Sequence, residues 1–200
     1  MIHGFRHVAG ALLPEQQSAL ADEIGRVVAE APWFTPTMPR SDRPFSVRMT
    51  NCGPLGWVSD RAGYRYQPLH PETGRPWPPM PPMLLDLWSR FGGFRAPPEA
   101  CLVNRYTPGT RMGSHRDADE AELTAPVVSI SLGCDAVFHV GGLARSDAKE
   151  RIVLRSGDVC VLGGGARLAY HGVDRILPGT CDLLADGGRI NLTLRRVSKV

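Results

Sequence analysis

Two histidines and one aspartate are the residues of this sequence whose types and spacing best suit metal binding. His115 and Asp117 lie two residues apart in SHRDADE, so they project to the same side of an extended segment. His171 follows in LAYHGV, after a run of three glycines. Two imidazoles and one carboxylate on one side of an ion leave positions open for other ligands, as in non-haem Fe(II) oxygenases. The spacing predicts such a site, although H-x-D alone also occurs in solvated loops.

Two arginines near the end of the sequence could bind a small dianion. In RINLTLR, the odd-numbered residues from Arg189 to Arg195 are polar and the even-numbered ones are apolar, so on a strand the polar residues share one face. Arginine presents a planar fork that matches carboxylates. A solvated strand face is the alternative, and the presence of the His/Asp/His set favours the dianion receptor. In CLVNRY, Leu102, Asn104 and Tyr106 share one face in the same mixed way.

Two helices are predicted ahead of these motifs. Apolar residues recur at helical spacing from Leu20 to Ala31, after Pro14 and before Pro32. A second apolar face runs from Met83 to Phe91 and ends at a pair of glycines. Each helix therefore has one face that packs inward.

After residue 98 the pattern changes to short apolar runs bounded by turn residues. The runs are CLVNRY, PVVSISLG, AVFHVGG, RIVL, DVCVLGG and RINLTLRRV. Several short strands without intervening helices predict a β-sandwich or jelly roll, in a chain that is mainly β with flanking helices (α+β). A barrel with a polar-lined interior explains why polar residues share strand faces that otherwise look buried.

The segment 32–82 differs from the rest of the chain in composition. It holds twelve of the eighteen prolines, five Trp and Tyr residues, six arginines and three acidic residues. Regular central strands do not accommodate so much proline. We expect an ordered, aromatic insert at the surface that carries the net positive charge of the chain.

The overall composition describes one domain spanning residues 1–200. The formal net charge is +3 and no basic tail is present, which argues against a tight duplex binder. Five scattered cysteines without a C-x-x-C pair indicate neither a disulfide framework nor a structural zinc site. The first apolar stretch is too short for a signal peptide or a membrane span, so we expect a cytoplasmic location.

The sequence resembles the AlkB family of Fe(II)- and 2-oxoglutarate-dependent dealkylating dioxygenases. The likeness runs from Met49 to Arg196 through MTNCGPLGW, GYRYQP, RPWPPMP, CLVNRYTPG, SHRDADE, APVVSISLG, FHVGGLARSD, GDVCVLGG, YHGV and RINLTLR. It implies a double-stranded β-helix (jelly roll) catalytic core over 98–197 and an N-terminal nucleotide-recognition lid over 32–82. It also implies that the iron ligands are His115, Asp117 and His171.

The resemblance implies O2 and 2-oxoglutarate as cosubstrates beside Fe(II). Arg189 is expected to hold the distal carboxylate of 2-oxoglutarate and Arg195 the end nearest the iron. Further hydrogen bonds are expected from Asn104, Tyr106 and Asn191. The implied reaction removes N-methyl groups from bases as formaldehyde and releases succinate and CO2.

For the substrate, the resemblance implies that Trp57 stacks on the damaged base opposite the ring of His115. Tyr64 and Tyr66 match a pair that lines the pocket, Asp119 matches an anion beside the cationic base, and Arg145 resembles a contact at the pocket mouth. The implied partner is alkylated single-stranded DNA, with double-stranded DNA and RNA as further candidates, bound by a monomer. Phosphate-contact candidates within 32–82 are Arg40, Arg43, Arg48, Arg61, Arg65 and Arg75.

Two positions depart from the family pattern. Leu162 stands where the bacterial founding member has a tryptophan, and His139 replaces a glutamine and is interpreted as a strand-face histidine rather than a ligand. These departures concern substrate range. The alternative function is a 2-oxoglutarate oxygenase acting on a tRNA base, a protein side chain or a small molecule. A third hypothesis is a non-catalytic jelly roll that binds metal or nucleic acid.

Overall fold

The computed structural model describes residues 3–200, which form two α-helices, a short 3₁₀ helix and twelve strands. The helices are α1 (Pro14–Glu30), α2 (Pro82–Phe91) and the 3₁₀ helix (Gly164–Ala166). The strands are β1 (Phe5–Val8), β2 (Arg48–Cys52), β3 (Gly56–Asp60), β4 (Gly63–Gln67), β5 (Ala100–Tyr106), β6 (Met112–His115), β7 (Val127–Gly133), β8 (Ala136–Val140), β9 (Glu150–Leu154), β10 (Val159–Leu162), β11 (His171–Ile176) and β12 (Arg189–Arg195).

The strands form two facing sheets and one separate hairpin, and all the pairs are antiparallel. The larger sheet has the order β1-β10-β7-β12-β5-β2, and the smaller has the order β6-β11-β8-β9. Strands β3 and β4 pair only with each other. Because most neighbouring strands, apart from β8 and β9, are not consecutive in sequence, the chain crosses repeatedly between the two sheets, as a jelly roll requires.

The hydrophobic core lies in two layers on either side of the larger sheet. One layer packs α1 and α2 against this sheet and includes Ile190, Leu192 and Leu194 of β12. The other layer lies between the two sheets and includes Leu102 and Phe138. Burying an aliphatic side chain contributes about 1.5–3 kcal/mol. The alternation along β12 therefore fixes which face of the strand packs against the helices.

Both predicted helices are present. Helix α1 begins at Pro14, and the amide of the preceding residue, Leu13, donates to the Gln16 side chain at 2.9 Å. The helix buries Leu20 and Ile24 fully. Helix α2 ends before Gly92 and Gly93, and the second of these has a left-handed φ of 62°. Each helix packs on the sheet through one face, which explains why its apolar residues recur with the 3.6-residue period of a helix. None of the helices within 3–200 is long and apolar enough to cross a membrane.

The proline-rich insert contains three strands that its composition did not predict. Strand β2 is an edge strand of the larger sheet, and β3 and β4 form the separate hairpin. The insert's prolines lie outside these strands, and Pro54 and Pro68 fall in the segments that flank the hairpin. Proline is therefore absent from the three strands, although Pro44 and Pro76 each form an isolated antiparallel bridge, and no central strand of either sheet comes from the insert.

Candidate metal centre and cosubstrate pocket

The two sheets enclose a cavity of about 880 Å³ that opens towards the β3–β4 hairpin. Its lining combines apolar side chains such as Leu102 and Phe138 with the polar faces of β5 and β12. The predicted polar-lined interior is thus present. It gathers the candidate metal ligands and most of the other candidate site residues in one space.

Strand pairing brings the two histidines together. His115 is the last residue of β6 and His171 the first of β11, and the two are directly opposite each other in the antiparallel ladder. Their ring centroids are 4.5 Å apart. Asp117 follows β6 in an irregular segment and is buried, with Oδ1 3.8 Å from His115 Nε2 and Oδ2 3.9 Å from His171 Nε2.

Hydrogen bonding fixes which atoms of the triad are free to bind a metal. The Nδ1 of His115 lies 3.0 Å from the carbonyl of Gly113, and the Nδ1 of His171 lies 2.9 Å from the carbonyl of Ala169. An Nδ1–H that donates to a carbonyl leaves Nε2 unprotonated as a ligand. One ligand atom from each of the three residues lies within 4.8 Å of the others, so the donor set fits a divalent iron.

The protonation states of His171 and Asp117 suit metal binding. Burial, reinforced by the charge of His115, lowers the pKa of His171 to about 4, so its imidazole is neutral near pH 7. Burial would raise the pKa of Asp117, but Arg195 and the two histidines outweigh it and hold this pKa below its ordinary value. A neutral imidazole and an ionised carboxylate are the forms that ligate metals.

Arg189 is a buried cation that no carboxylate contacts within the described part of the chain. It is 1% exposed, and its Nη atoms donate to Ser131 Oγ at 2.6 Å and to the Cys134 carbonyl at 3.2 Å. Its Nε has no partner. Burial lowers the pKa of Arg189, which reflects the cost of an uncompensated charge. A bound carboxylate would offset this cost.

Arg195 lies at the opposite end of the same strand and beside the triad. Its Nη2 is 3.0 Å from Asp117 Oδ2, and its Nε is 3.4 Å from Glu120 Oε1. Because the two arginines are six residues apart on β12, they project from one face at separate depths. This arrangement suits an anion with a carboxylate at each end.

Hydrogen-bonding groups line the cavity between the two arginines. Asn104 is buried with its Oδ1 unpartnered, and Tyr106 lies opposite Arg189 on the neighbouring strand. Burial raises the pKa of Tyr106 to about 12, so this side chain keeps its O–H donor. Asn191 donates to Ser129 Oγ at 2.7 Å. All the residues predicted to bind the cosubstrate therefore line this cavity.

The hairpin places an aromatic ring and a carboxylate at the cavity mouth. Trp57 on β3 stacks on Tyr64 with ring centroids 5.6 Å apart, and its Nε1 donates to Asp119 Oδ2 at 2.8 Å. Arg145 also lines the cavity, with its guanidinium 5.5 Å from the Tyr170 ring centroid. The sequence did not single out Arg116, which lies 5.7 Å from the same ring.

Tyr66 and the two departures from the family pattern have distinct positions. Tyr66 is outside the cavity lining, and its hydroxyl instead contacts Glu120 and Arg195. Leu162 is buried and lines the cavity. His139 is outside both the cavity lining and the metal-ligand group, and its Nδ1 lies 2.7 Å from Asp174 Oδ1, as expected for a strand-face histidine.

Two buried charges near the triad were missed from the sequence. Glu120 and Arg167 form an ion pair with an Nη2–Oε2 distance of 3.0 Å. Glu120 belongs to SHRDADE, so its nearness to the ligands was a usable signal. Arg167 had no comparable signal, because it lies between the glycine run and His171 without a partner nearby in sequence.

Comparison with known proteins decides the family. Residues 4–195 match the family model described as the 2OG-Fe(II) oxygenase superfamily. The chain is 54% identical to the alpha-ketoglutarate-dependent dioxygenase AlkB homolog of Caulobacter vibrioides, over 98% of this chain and 89% of that protein. It is 43% identical to the AlkB dioxygenase of Escherichia coli, over 90% and 84% of the two chains. The chain belongs to the AlkB family.

Two more distant AlkB relatives extend the comparison. The Arabidopsis thaliana protein named DNA N(6)-methyladenine demethylase ALKBH1A is 44% identical over 41% of this chain and 24% of that protein. A solved structure titled "The structure of OsALKBH1" has a TM-score of 0.77 and 29% identity, and the match covers 96% of this chain and 98% of that one. The predicted jelly roll is thereby confirmed. As an AlkB-family dioxygenase the protein uses Fe(II), 2-oxoglutarate and O2, and the His115, Asp117 and His171 group fits the iron.

Proposed function

We propose that this protein oxidatively demethylates N-alkylated bases, such as 1-methyladenine and 3-methylcytosine, in DNA. The observation that carries the proposal is the pair formed by Trp57 and Asp119, whose side chains line the same cavity as the metal-ligand triad. Adenine methylated at N1 and cytosine methylated at N3 are flat and carry a positive charge, so an indole ring and a carboxylate complement them. The printed name of the Arabidopsis relative, a DNA N(6)-methyladenine demethylase, supports demethylation of a base in DNA.

In this function, His115, Asp117 and His171 hold Fe(II) on one side and leave the other side open to the cosubstrates. The bound iron, with 2-oxoglutarate and O2, supplies the oxidising power that hydroxylates the N-methyl carbon. The hydroxymethyl group then leaves as formaldehyde, and succinate and CO2 are the other products. The chain therefore needs no nucleophile, and its residues bind, orient and shield the reacting groups.

The two arginines of β12 bind 2-oxoglutarate by its two ends. Arg189 takes the distal carboxylate, since its buried charge has no carboxylate partner among residues 3–200. Arg195 takes the end nearest the iron, beside Asp117. Asn104, Tyr106 and Asn191 add hydrogen bonds from the cavity wall between them. Lysine at either arginine position would lose the bidentate fork.

Residues 32–82 act as the nucleotide-recognition lid over the 98–197 catalytic core. Trp57 stacks on the flipped base with Tyr64 behind it, and Asp119 faces the cationic edge of the base. Arg145 contacts the substrate at the mouth of the cavity. Tyr66 contributes indirectly, because its hydroxyl anchors the hairpin to Glu120 and Arg195 below the site.

The preferred substrate is single-stranded DNA. One flipped base and a short length of backbone need few phosphate contacts, which agrees with the small net charge. Two of the six arginine candidates in the insert are committed to internal pairs, since Arg61 contacts Asp42 at 2.9 Å and Arg65 contacts Asp60 at 2.8 Å. Arg40, Arg43, Arg48 and Arg75 are thus the better phosphate contacts. A monomeric state and a cytoplasmic location stay predictions.

The deciding experiment supplies anaerobically Fe(II)-loaded protein with 2-oxoglutarate, O2 and oligonucleotides that carry 1-methyladenine or 3-methylcytosine. Matched single-stranded DNA, double-stranded DNA and RNA are compared, and formaldehyde and succinate are both measured. We expect equal amounts of the two products, most rapidly from single-stranded DNA, and none from His171→Ala.

Two outcomes would redirect the assignment. Succinate without loss of the methyl group from any oligonucleotide would indicate another target, such as a tRNA base in its folded context, a protein side chain or a small molecule. Neither product from protein with iron demonstrably bound would contradict an enzymatic function altogether.

A further inference from the structure

The three metal ligands are held by different means. His115 and His171 belong to paired strands, so the hydrogen-bonded ladder sets their positions. Asp117 belongs to the segment 116–126, which runs between β6 and β7 without regular secondary structure. Strand pairing therefore does not place this carboxylate, and other contacts must do so.

Arg195 contacts the carboxylate itself, and Arg167 holds the backbone of the segment. The side chain of Arg167 is buried, and each of its three guanidinium nitrogens donates to the 116–126 segment. Nε donates to the Ala125 carbonyl at 2.8 Å, Nη1 to the Asp117 carbonyl at 2.7 Å and Nη2 to Glu120 Oε2 at 3.0 Å. A planar guanidinium that binds one segment at three points fixes the conformation of that segment as well as its distance from Arg167.

The same residue also connects the second ligand to the third. Arg167 lies four residues before His171, in the connection from β10 to β11. Its bond to the Asp117 carbonyl therefore joins the segment that carries one ligand to the segment that leads to another. This bond therefore links two segments that are far apart in sequence and that each carry or lead to a ligand.

Glu120 completes the network on the other side. Its Oε1 accepts from the Tyr66 hydroxyl and lies 3.4 Å from Arg195 Nε. Asp117 and Glu120 contribute two negative charges to the buried network, and Arg167 and Arg195 contribute two positive charges. The network is thus balanced before any metal or cosubstrate binds.

We propose that Arg167 is a positioning residue for the metal centre, which holds ligand Asp117 by its backbone and so sets the strength of metal binding. This inference rests on the iron site of the proposed function but not on the identity of the alkylated substrate. Partners outside the ligand set of a metal site contribute 10- to 100-fold to metal affinity. Loss of the Arg167 fork is expected to weaken metal binding within that range.

The competing explanation is that the Arg167–Glu120 pair only stabilises the fold. Arg167→Met alone does not separate the two, because it leaves Glu120 buried and unpaired and lowers stability for that reason. The double variant Arg167→Met with Glu120→Gln removes one charge of each sign, and the glutamine can still accept from Tyr66. Replacing a buried ion pair by neutral groups of similar size is often tolerated. This variant therefore keeps the charge balance and removes the bond to the Asp117 carbonyl.

The experiment titrates Co(II) into the metal-free protein and follows the visible absorption of the bound ion, with thermal unfolding measured in parallel. His115→Ala establishes that the signal comes from the triad, and Arg155→Met, at an exposed arginine, is the matched control. We expect the double variant to bind Co(II) 10- to 100-fold more weakly than the wild type while it melts cooperatively. Arg155→Met should bind Co(II) as the wild type does.

Wild-type Co(II) affinity in the folded double variant would overturn the inference. If the double variant does not fold, Arg167→Lys serves instead, because it keeps the charge and loses the three-point fork. At least tenfold weaker Co(II) binding by folded Arg167→Lys supports the inference, and unchanged binding overturns it. Co(II) binding is read without nucleic acid, so a wild type that fails to demethylate would count against the proposed function and not against the role of Arg167.

Discussion

The imidazole rings of His115 and His171 lie 4.5 Å apart because the two residues are opposite each other on β6 and β11. Two of the three metal ligands thus depend on the register and spacing of one pair of strands. Gly172, next to His171, lies close against the backbone of β6. A Cβ at this position would lie 2.6 Å from the Met112 carbonyl oxygen and 2.8 Å from His139 Cε1.

We expect Gly172→Ala to lower both stability and metal affinity. The added methyl group meets the backbone of β6, so the strands must separate, at a cost of about 1–3 kcal/mol for an overpacked site. Chemical denaturation and Co(II) titration measure the two effects. Gly113→Ala is the matched stability control, since a Cβ there meets nothing within 4 Å. Equal stability of the two variants would contradict the tight approach at Gly172.

Replacing Arg189 by methionine should separate stability from cosubstrate binding. The buried guanidinium of Arg189 has no carboxylate partner within residues 3–200, so an apolar side chain of similar length should leave the metal-free protein at least as stable. A hydrogen bond to a charged group contributes about 1.5–3 kcal/mol, so 2-oxoglutarate affinity should fall more than tenfold.

The rise in melting temperature on adding 2-oxoglutarate measures the affinity of each Arg189 variant. Arg189→Lys should give an intermediate rise, because it keeps the charge without the fork. A wild-type rise in Arg189→Met would contradict the assignment of Arg189 to the distal carboxylate.

The strands that form the site were predictable from sequence, because burial on one face imposes a period of two. The alternation of RINLTLR correctly predicted that Arg189 and Arg195 share one face of β12, and the cavity lies on that face. The separation of His171 from His115 gave no such signal. The two residues are paired across a long connection that includes β7 to β10. That they share one site was predicted from residue chemistry and family resemblance.

Other features were hidden because their cause is tertiary. The high proline content of 32–82 masked β2, which forms because β5 offers it a partner. The buried role of Arg167 was invisible because its three acceptors are more than forty residues away in sequence. Tyr66 lies two residues from Tyr64 on β4, so the two share one face, and Tyr66 was expected in the pocket beside Tyr64. Its hydroxyl contacts Glu120 instead, and Tyr66 lies outside the cavity lining.

The thiols provide a test of how tightly the larger sheet is packed. Cys52 and Cys101 are buried opposite each other on β2 and β5, and burial raises the pKa of Cys160 to about 12. Cys181 is half-buried. A thiol reagent at pH 8 should therefore label Cys181 first and the other four cysteines only after denaturation. Cys181→Ser should remove the rapid phase, and labelling of two or more thiols in the native protein would contradict the packing.

The charge of Asp119 should set the preference of the enzyme for a cationic base over a neutral one. Its Oδ2 accepts from Trp57 Nε1 at 2.8 Å, and Asp119→Asn keeps the size and an acceptor oxygen while it removes the charge. We expect kcat/KM for 1-methyladenine to fall at least tenfold, in line with a lost charged hydrogen bond. For a neutral base such as 3-methylthymine in the same oligonucleotide, the decrease should be smaller, because no charge is paired there. The ratio of the two rates, measured as formaldehyde release, reports the effect.

The control for this comparison is Asp86→Asn, which makes the same change in net charge at an exposed position on α2. It should leave both rates and their ratio at wild-type values, because Asp86 does not line the cavity. An equal loss of activity on the cationic and neutral bases in Asp119→Asn would mean that this carboxylate only orients Trp57. In that case Trp57→Phe, which keeps a stacking ring without the N–H donor, should reproduce the same uniform loss.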